Sequence, residues 1–203
     1  MKILAFGSHP DDIEYGCGGF LLDAVRSGHD AYMCVMTDGG VNPEFDRRLE
    51  QERAASFLGA KGLFWGGFRD TQLQEGRELI NAIEYHIGKV NPDIVLVNYY
   101  EDAHQDHRAL AVCAVTACRY QKKVLFYHDY TTLNFIPDVF IDIGNFLQDK
   151  RTLLAYHHSQ VNKKYPTGLD LLESINSLAA YYGFMAKVRY AEGFKALRYL
   201  IDI

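Results

Sequence analysis

Lys2-Ile3-Leu4-Ala5-Phe6-Gly7-Ser8-His9-Pro10-Asp11-Asp12 is the stretch that decides how this chain folds. Its first half is an apolar run of strand length, and its second half puts an imidazole and two carboxylates at the carboxyl end of that run. Open α/β sheets bind ligands outside the carboxyl ends of their strands, so a buried strand ending this way delivers polar groups where a ligand would sit. A second polar cluster, His104-Gln105-Asp106-His107, follows a second apolar run at 93–98. If these two runs are neighbouring parallel strands, the clusters meet at one sheet edge and read as a split metal site. Imidazole and carboxylate donors suit zinc, and a catalytic zinc keeps three protein ligands and an open position for water.

The rhythm set by the first run continues. Short apolar segments at 2–8, 31–37, 62–65, 93–98 and 123–127 alternate with helix-length segments. That pattern predicts an α/β fold, Rossmann-like, with a mainly parallel sheet joined by right-handed crossovers and helices on both faces. The first helix is expected at about 19–27, stopped by Gly28, and the third carries Leu79, Ile80, Ile83 and Ile87 on one face. The fourth begins at His107 and carries Leu110, Cys113, Ala114, Ala117 and Cys118 at helical spacing. Beyond residue 135, an alternating strand is expected at 136–143 and helices at 147–160 and 171–185. No linker, repeat or low-complexity segment interrupts the chain, so 1–203 is expected to form a single domain.

Composition narrows the class. Of 203 residues 48% are hydrophobic, which suits a packed core. The net charge of −5 arises from 21 basic and 26 acidic residues mixed along the chain, so no basic stripe recommends nucleic acid or an anionic membrane as partner. Cys17, Cys34, Cys113 and Cys118 form no CxxC pair, and reduced thiols are expected. With no signal-like first residues and no run of 18 apolar residues, a cytoplasmic location without membrane insertion is expected.

The two clusters make chemical sense together. An amide carbonyl is a poor electrophile, and a metal that polarises it while lowering the pKa of a water answers both difficulties. One carboxylate must stay off the metal; of Asp11 and Asp12, one can coordinate while the other serves as base. A protonated His104 could hydrogen-bond a developing oxyanion, with the Asp106 carboxylate favouring that charge. Arg47 and Glu50 lie on the apolar stripe of Ala54, Phe57 and Leu58, so Arg47 either grips substrate with paired planar donors or pairs with Glu50 inside the helix. Asp38, ending the second strand, is a candidate substrate contact. His128 ends the fifth strand and reads either as a cleft residue or as a structural histidine. His29 and His86 read as surface residues.

His9-Pro10-Asp11-Asp12 with His104-x-Asp106-His107 resembles the two signatures of the PIG-L/LmbE-like zinc deacetylases, which remove N-acetyl groups from glucosamine conjugates. The resemblance extends over nearly the whole chain, through Arg47-x-x-Glu50, Pro137-Asp138, Asp142-Ile143, His157-x-Ser159-Gln160 and Tyr190-Ala191-Glu192-Gly193-Phe194. Tyr99-Tyr100-Glu101-Asp102 and residues 190–194 are most similar to the branch that deacetylates N-acetylglucosaminyl malate in bacillithiol synthesis. The resemblance implies an LmbE-like deacetylase fold and a homo-oligomer. It also implies His9, Asp12 and His107 as ligands of Zn²⁺, with Fe²⁺ the other candidate metal, Asp11 as general base, and His104 as oxyanion donor with Asp106 behind it. His157 gains a role near substrate the same way. Ala103 stands where that branch often carries Arg, Gln105 where Pro or Thr is usual, and both changes bear on the choice of aglycone.

Two rivals remain. Gly16-x-Gly18-Gly19 invites a Rossmann-type nucleotide or S-adenosylmethionine reading, but a dinucleotide loop places its glycines directly at the strand end, a position that residues 9–12 fill here. The glycines are expected instead to let the first helix pack closely. A non-catalytic sugar-binding relative would have no use for a base left off the metal. The expected activity is therefore metal-dependent hydrolysis of the N-acetyl amide of a small N-acetylglucosamine-containing conjugate.

Overall fold

The computed structural model describes residues 1–40 and 46–201. In chain order the strands are β1 Lys2–Gly7, β2 Asp30–Thr37, β3 Gly62–Phe68, β4 Ile94–Asn98, β5 Lys123–Tyr127, β6 Val139–Asp142 and β7 Ala191–Tyr199. The helices are α1 Asp12–Arg26, α2 Arg47–Leu58, α3 Arg77–Val90, α4 Gln105–Ala117, α5 Leu147–Ala155, the single turn α6 His158–Val161 and α7 Leu171–Ala186. All seven strands share one sheet in the order β3-β2-β1-β4-β5-β7-β6. From β3 to β5 every pairing is parallel, and β7 runs antiparallel to both β5 and β6.

Strand periodicity explains the two-sided core. Along β1, Leu4 and Phe6 face one side with Val95, Val97, Val124 and Phe126, where Leu79 and Ile83 of α3 and Leu110 and Ala114 of α4 cover them. Ile3 and Ala5 face the other side with Leu96 and Leu125, under Ile13 and Leu21 of α1, Leu58 of α2 and Leu153 of α5. Alternate residues of a strand point to opposite faces, so a sheet covered on both sides reads as continuous apolar sequence.

The chain crosses from β1 to β2 and β3 in one direction and takes β4 and β5 in the other. The strand order therefore reverses between β1 and β4, which pair directly through Ile3–Ile94, Leu4–Val95 and Ala5–Leu96. A crevice opens outside the carboxyl ends at such a reversal. The two polar clusters follow these two strands.

Four elements differ from the sequence expectation. Helix α1 starts at Asp12, seven residues before the expected start, because Gly16, Gly18 and Gly19 lie within it and are there for packing. A Cβ on Gly16 would stand 2.1 Å from the Tyr127 ring, and one on Gly19 would stand 2.8 Å from Ile143. Backbone geometry at Cys17 (φ −141°, ψ 16°) breaks the helical ladder, and the freed amides of Gly19 and Phe20 donate to Glu192 at 2.7 and 2.8 Å. The segment expected as one helix over 147–160 is two, α5 and α6, with His157 turned inward between them. The strand expected at 136–143 shortens to Val139–Asp142, past Pro137, which has no amide to give a ladder. Strand β7 shows in the sequence only as a motif, yet it is what joins β6 to the sheet.

Candidate metal centre

Asp12 is fixed before anything binds to it. Its Oδ2 accepts from the backbone amides of Ser8 (2.8 Å) and His9 (3.0 Å) and from Asn98 Nδ2 (3.2 Å), so the end of β1 and the end of β4 jointly orient one carboxylate. Around it, His9 Nδ1 lies 3.2 Å from His107 Nε2, His107 Nε2 lies 3.3 Å from Asp12 Oδ2, and His9 Nδ1 lies 3.8 Å from the same oxygen. Ligands about 2.0–2.1 Å from a tetrahedral ion stand about 3.3–3.4 Å apart; two of the three separations are close to that and the His9–Asp12 one is wider, so the cluster is near the spacing of a zinc-sized cation. All three residues are buried and line one cavity of about 500 Å³, together with Asp11 and His104.

Each imidazole is held from behind. His107 turns its Nδ1 to Asp102 Oδ2 at 3.2 Å, and Asp102 in turn accepts from the His104 amide and from the hydroxyls of Thr131 and Thr132. His9 turns its Nε2 to Asp70 Oδ1 and Asp106 Oδ2, each 3.1 Å away. Carboxylates in this position fix the tautomer of a ligating histidine and raise its basicity. Burial opposes charge on His9, but Asp106, Asp12 and Asp70 outweigh it and hold its pKa well above the usual value. Burial likewise opposes charge on His107, and Asp12 and Asp102 overcome it, raising the pKa to about 10. Burial would raise Asp12, yet His107 and His9 hold it well below the ordinary carboxylate range. The surroundings thus favour positive charge at this point, which two protons or one divalent cation can supply.

Asp11 sits in a different environment from its neighbour. As the residue that caps α1 it adopts φ 105°, a conformation rare for a side chain larger than glycine and found where the surroundings over-determine it. Its Oδ1 accepts from Arg47 Nη2 at 2.9 Å, while its Oδ2 is buried without a hydrogen-bond partner among the described residues. Burial raises its pKa, Arg47 pulls it back and Asp12 adds to the rise, for a result of about 6.

Several sequence expectations need correcting here. Arg47 does not pair with Glu50: its guanidinium donates to Asp11, to the Pro10 carbonyl and to the Gly39 carbonyl, while its Nε has no partner among the described residues and the side chain lines the cavity. Glu50 instead accepts from the amide and hydroxyl of Ser159, tying α2 to α6. Asp106 is not behind His104. Its carboxylate accepts from the Thr71 and Leu73 amides and contacts His9. His104 Nδ1 accepts from the Asp106 amide at 3.2 Å, which leaves the ring proton on Nε2. Burial, His9 and His107 also lower its pKa, which favours the neutral form of His104. Asp38 is exposed and accepts from Gly40, while Gly39 lines the cavity in its place. His157 is fully buried, 3.3 Å from Glu14 Oε1, and its neighbours Ser159 and Gln160 reach the cavity wall instead. His128 stacks on Phe135 and contacts Tyr182 Oη at 2.5 Å, away from this cavity. His86, expected at the surface, is buried against Phe64.

Asp70, Asn98, Asp102 and Asp129 carry no role that the sequence alone assigns. All four follow the carboxyl end of a parallel strand or close one, and that position was the available signal.

Comparison with known proteins bears on the family and the fold. Residues 4–118 match the family model described as PIG-L: GlcNAc-PI de-N-acetylase. The diacetylchitobiose deacetylase of Thermococcus kodakarensis is 31% identical over 224 residues, covering 96% of this chain and 82% of its own. Among solved structures, the conserved protein TT1542 from Thermus thermophilus superposes with TM-score 0.88 at 26% identity, over 99% of this chain and 96% of its own. GalB, the 4-carboxy-2-hydroxymuconate hydratase from Pseudomonas putida KT2440, superposes with TM-score 0.84 at 18% identity over 100% and 98%. A hydratase on this fold means that the reaction has to be argued from the site.

Proposed function

The chain belongs to the PIG-L family of de-N-acetylases, and from that premise we propose that it is a zinc-dependent hydrolase of the N-acetyl amide in a small N-acetylglucosamine-containing conjugate. The observation that carries this reading is the division of labour between two adjacent acids. Asp12 is pinned by donors and grouped with His9 and His107 at ligand spacing, while Asp11 keeps one oxygen free beside them.

His9, Asp12 and His107 would hold the zinc, which when bound would polarise an amide carbonyl and lower the pKa of a water toward about 7. Asp11, whose carboxyl pKa burial raises above the usual range, can take a proton through Oδ2 while Arg47 holds Oδ1 in place. The same carboxyl can then pass that proton to the departing amine. His104 lines the cavity and, with its proton on Nε2, can donate to an oxyanion there. Thr71, Tyr130, Gln160 and Lys163 line the outer cavity and offer hydroxyl, amide and ammonium partners for a sugar and its aglycone. The four cysteines are buried free thiols, which supports a reducing, cytoplasmic setting.

A panel of N-acetylglucosamine, diacetylchitobiose and N-acetylglucosaminyl conjugates with neutral and acidic aglycones, assayed for free amine and acetate, tests the proposal. Equal yields of amine and acetate are expected from at least one conjugate. Turnover of none of them by zinc-loaded protein would remove the N-acetylglucosamine assignment.

A further inference from the structure

Asp129 lies just beyond the end of β5, the strand beside β4, so a third strand end contributes an acid to the same crevice. It is completely buried. Its loop is locked: the Asp129 amide donates to Thr132 Oγ1 at 2.9 Å, its carbonyl accepts from the Thr132 amide at 3.0 Å, and its Oδ1 accepts from the Tyr130 amide at 2.7 Å. Oδ2 has no hydrogen-bond partner among the described residues. A donor atom of Asp129 lies within 4.8 Å of donors on both Asp12 and His107, two of the three residues that form the candidate metal centre.

Burying an acid with one oxygen unsatisfied is costly, and placing it beside a second acid adds to the cost. A cation in contact with Asp12 and His107 would remove both penalties. We propose that Asp129 is a further carboxylate ligand of the cation held by His9, Asp12 and His107, an inference that rests on the metal-dependent reading above. The donor set is then two imidazoles and two carboxylates. Such a set leaves positions for water and substrate only in a five- or six-coordinate shell, which suits iron or manganese and which zinc reaches by expanding beyond four ligands. Metal choice in this chain would thus be set partly at position 129.

Co²⁺ serves as the probe, because its visible absorption reports coordination number. Wild-type protein, Asp129→Asn and Asp129→Ala are stripped of metal, checked for folding by thermal melting, and titrated with Co²⁺ and Zn²⁺ against a competing chelator. Both variants are expected to bind each metal at least about 10–100-fold more weakly, a loss that even an outer-sphere partner can produce, and the Co²⁺ band is expected to change in position and intensity. The spectral change separates a ligand from a residue that only supports one. Folded variants with wild-type affinity and spectrum would overturn the assignment of Asp129 while leaving the metal centre intact. A wild-type protein that binds neither ion would overturn both.

Discussion

Asp11 and Asp12 are adjacent, alike in charge and equally buried, yet their environments push their pKa values in opposite directions. Asp12 has two imidazoles within 4 Å, and they favour its charged form. Asp11 has burial and Asp12 against it, and Arg47, with smaller help from His157 and His9, for it. Separation of two acids by environment is how one site obtains both a metal ligand and a base. Residue types alone leave open which acid does which, and only the family resemblance divides the roles, since the choice depends on backbone direction at Asp11, where φ is 105°. Arg47 is similarly ambiguous because its partner lies 36 positions away. Its contacts make it a positioning group for Asp11, so Arg47→Lys is expected to lower kcat by about 10-fold or more with little change in KM, since an ammonium cannot reproduce the planar fork. Steady-state kinetics at saturating metal decide the matter. A raised KM with unchanged kcat would return Arg47 to a substrate-binding role.

Among the elements, long periodic segments are legible in the sequence and interrupted ones are not. Five parallel strands and the apolar faces of α3, α4 and α7 follow directly from residue spacing. Helix α1 does not, because a run of glycines reads as loop when propensity is considered alone, whereas Gly16 is required by the Tyr127 ring packed against it. The break at Cys17 depends on Glu192 and its 2.6 Å contact with Lys150, both far along the chain. The inward turn at His157 has no glycine or proline to announce it. These helical glycines make a direct contrast in stability. Gly16→Ala is expected to destabilise the protein by roughly 1–3 kcal/mol or more through overpacking. Gly88→Ala, exposed on α3 with nothing within 4 Å of its Cβ position, is expected to stabilise it by up to about 1 kcal/mol. Urea unfolding of the two variants checks the signs, and similar behaviour would show that α1 relaxes away from Tyr127.

At the scale of the molecule, the sheet order locates the chemistry. Reversal of strand order between β1 and β4 opens the crevice, and strand ends on both sides of it supply His9, Asp11 and Asp12 from one direction and Asn98, Asp102, His104 and His107 from the other. Those two clusters can be paired from sequence because each directly follows its strand. Asp70 and Asp129 cannot, since each is a lone acid in a loop whose neighbours are far along the chain. The fold itself does not choose the reaction, as the superposition with a hydratase makes plain; the proposed deacetylation rests on the paired acids and the three-donor cluster. The most direct test is therefore a side-by-side determination of metal per chain and acetate release for wild-type protein, Asp11→Asn and Asp12→Asn. Wild-type protein is expected to hold about one metal and to release acetate, and Asp11→Asn to hold the metal with turnover reduced by about 10²–10⁴-fold. Asp12→Asn is expected to lose metal and turnover together. Retention of metal by Asp12→Asn with its loss from Asp11→Asn would reverse the two roles, and undiminished acetate release from both would contradict metal-assisted deacetylation at this site.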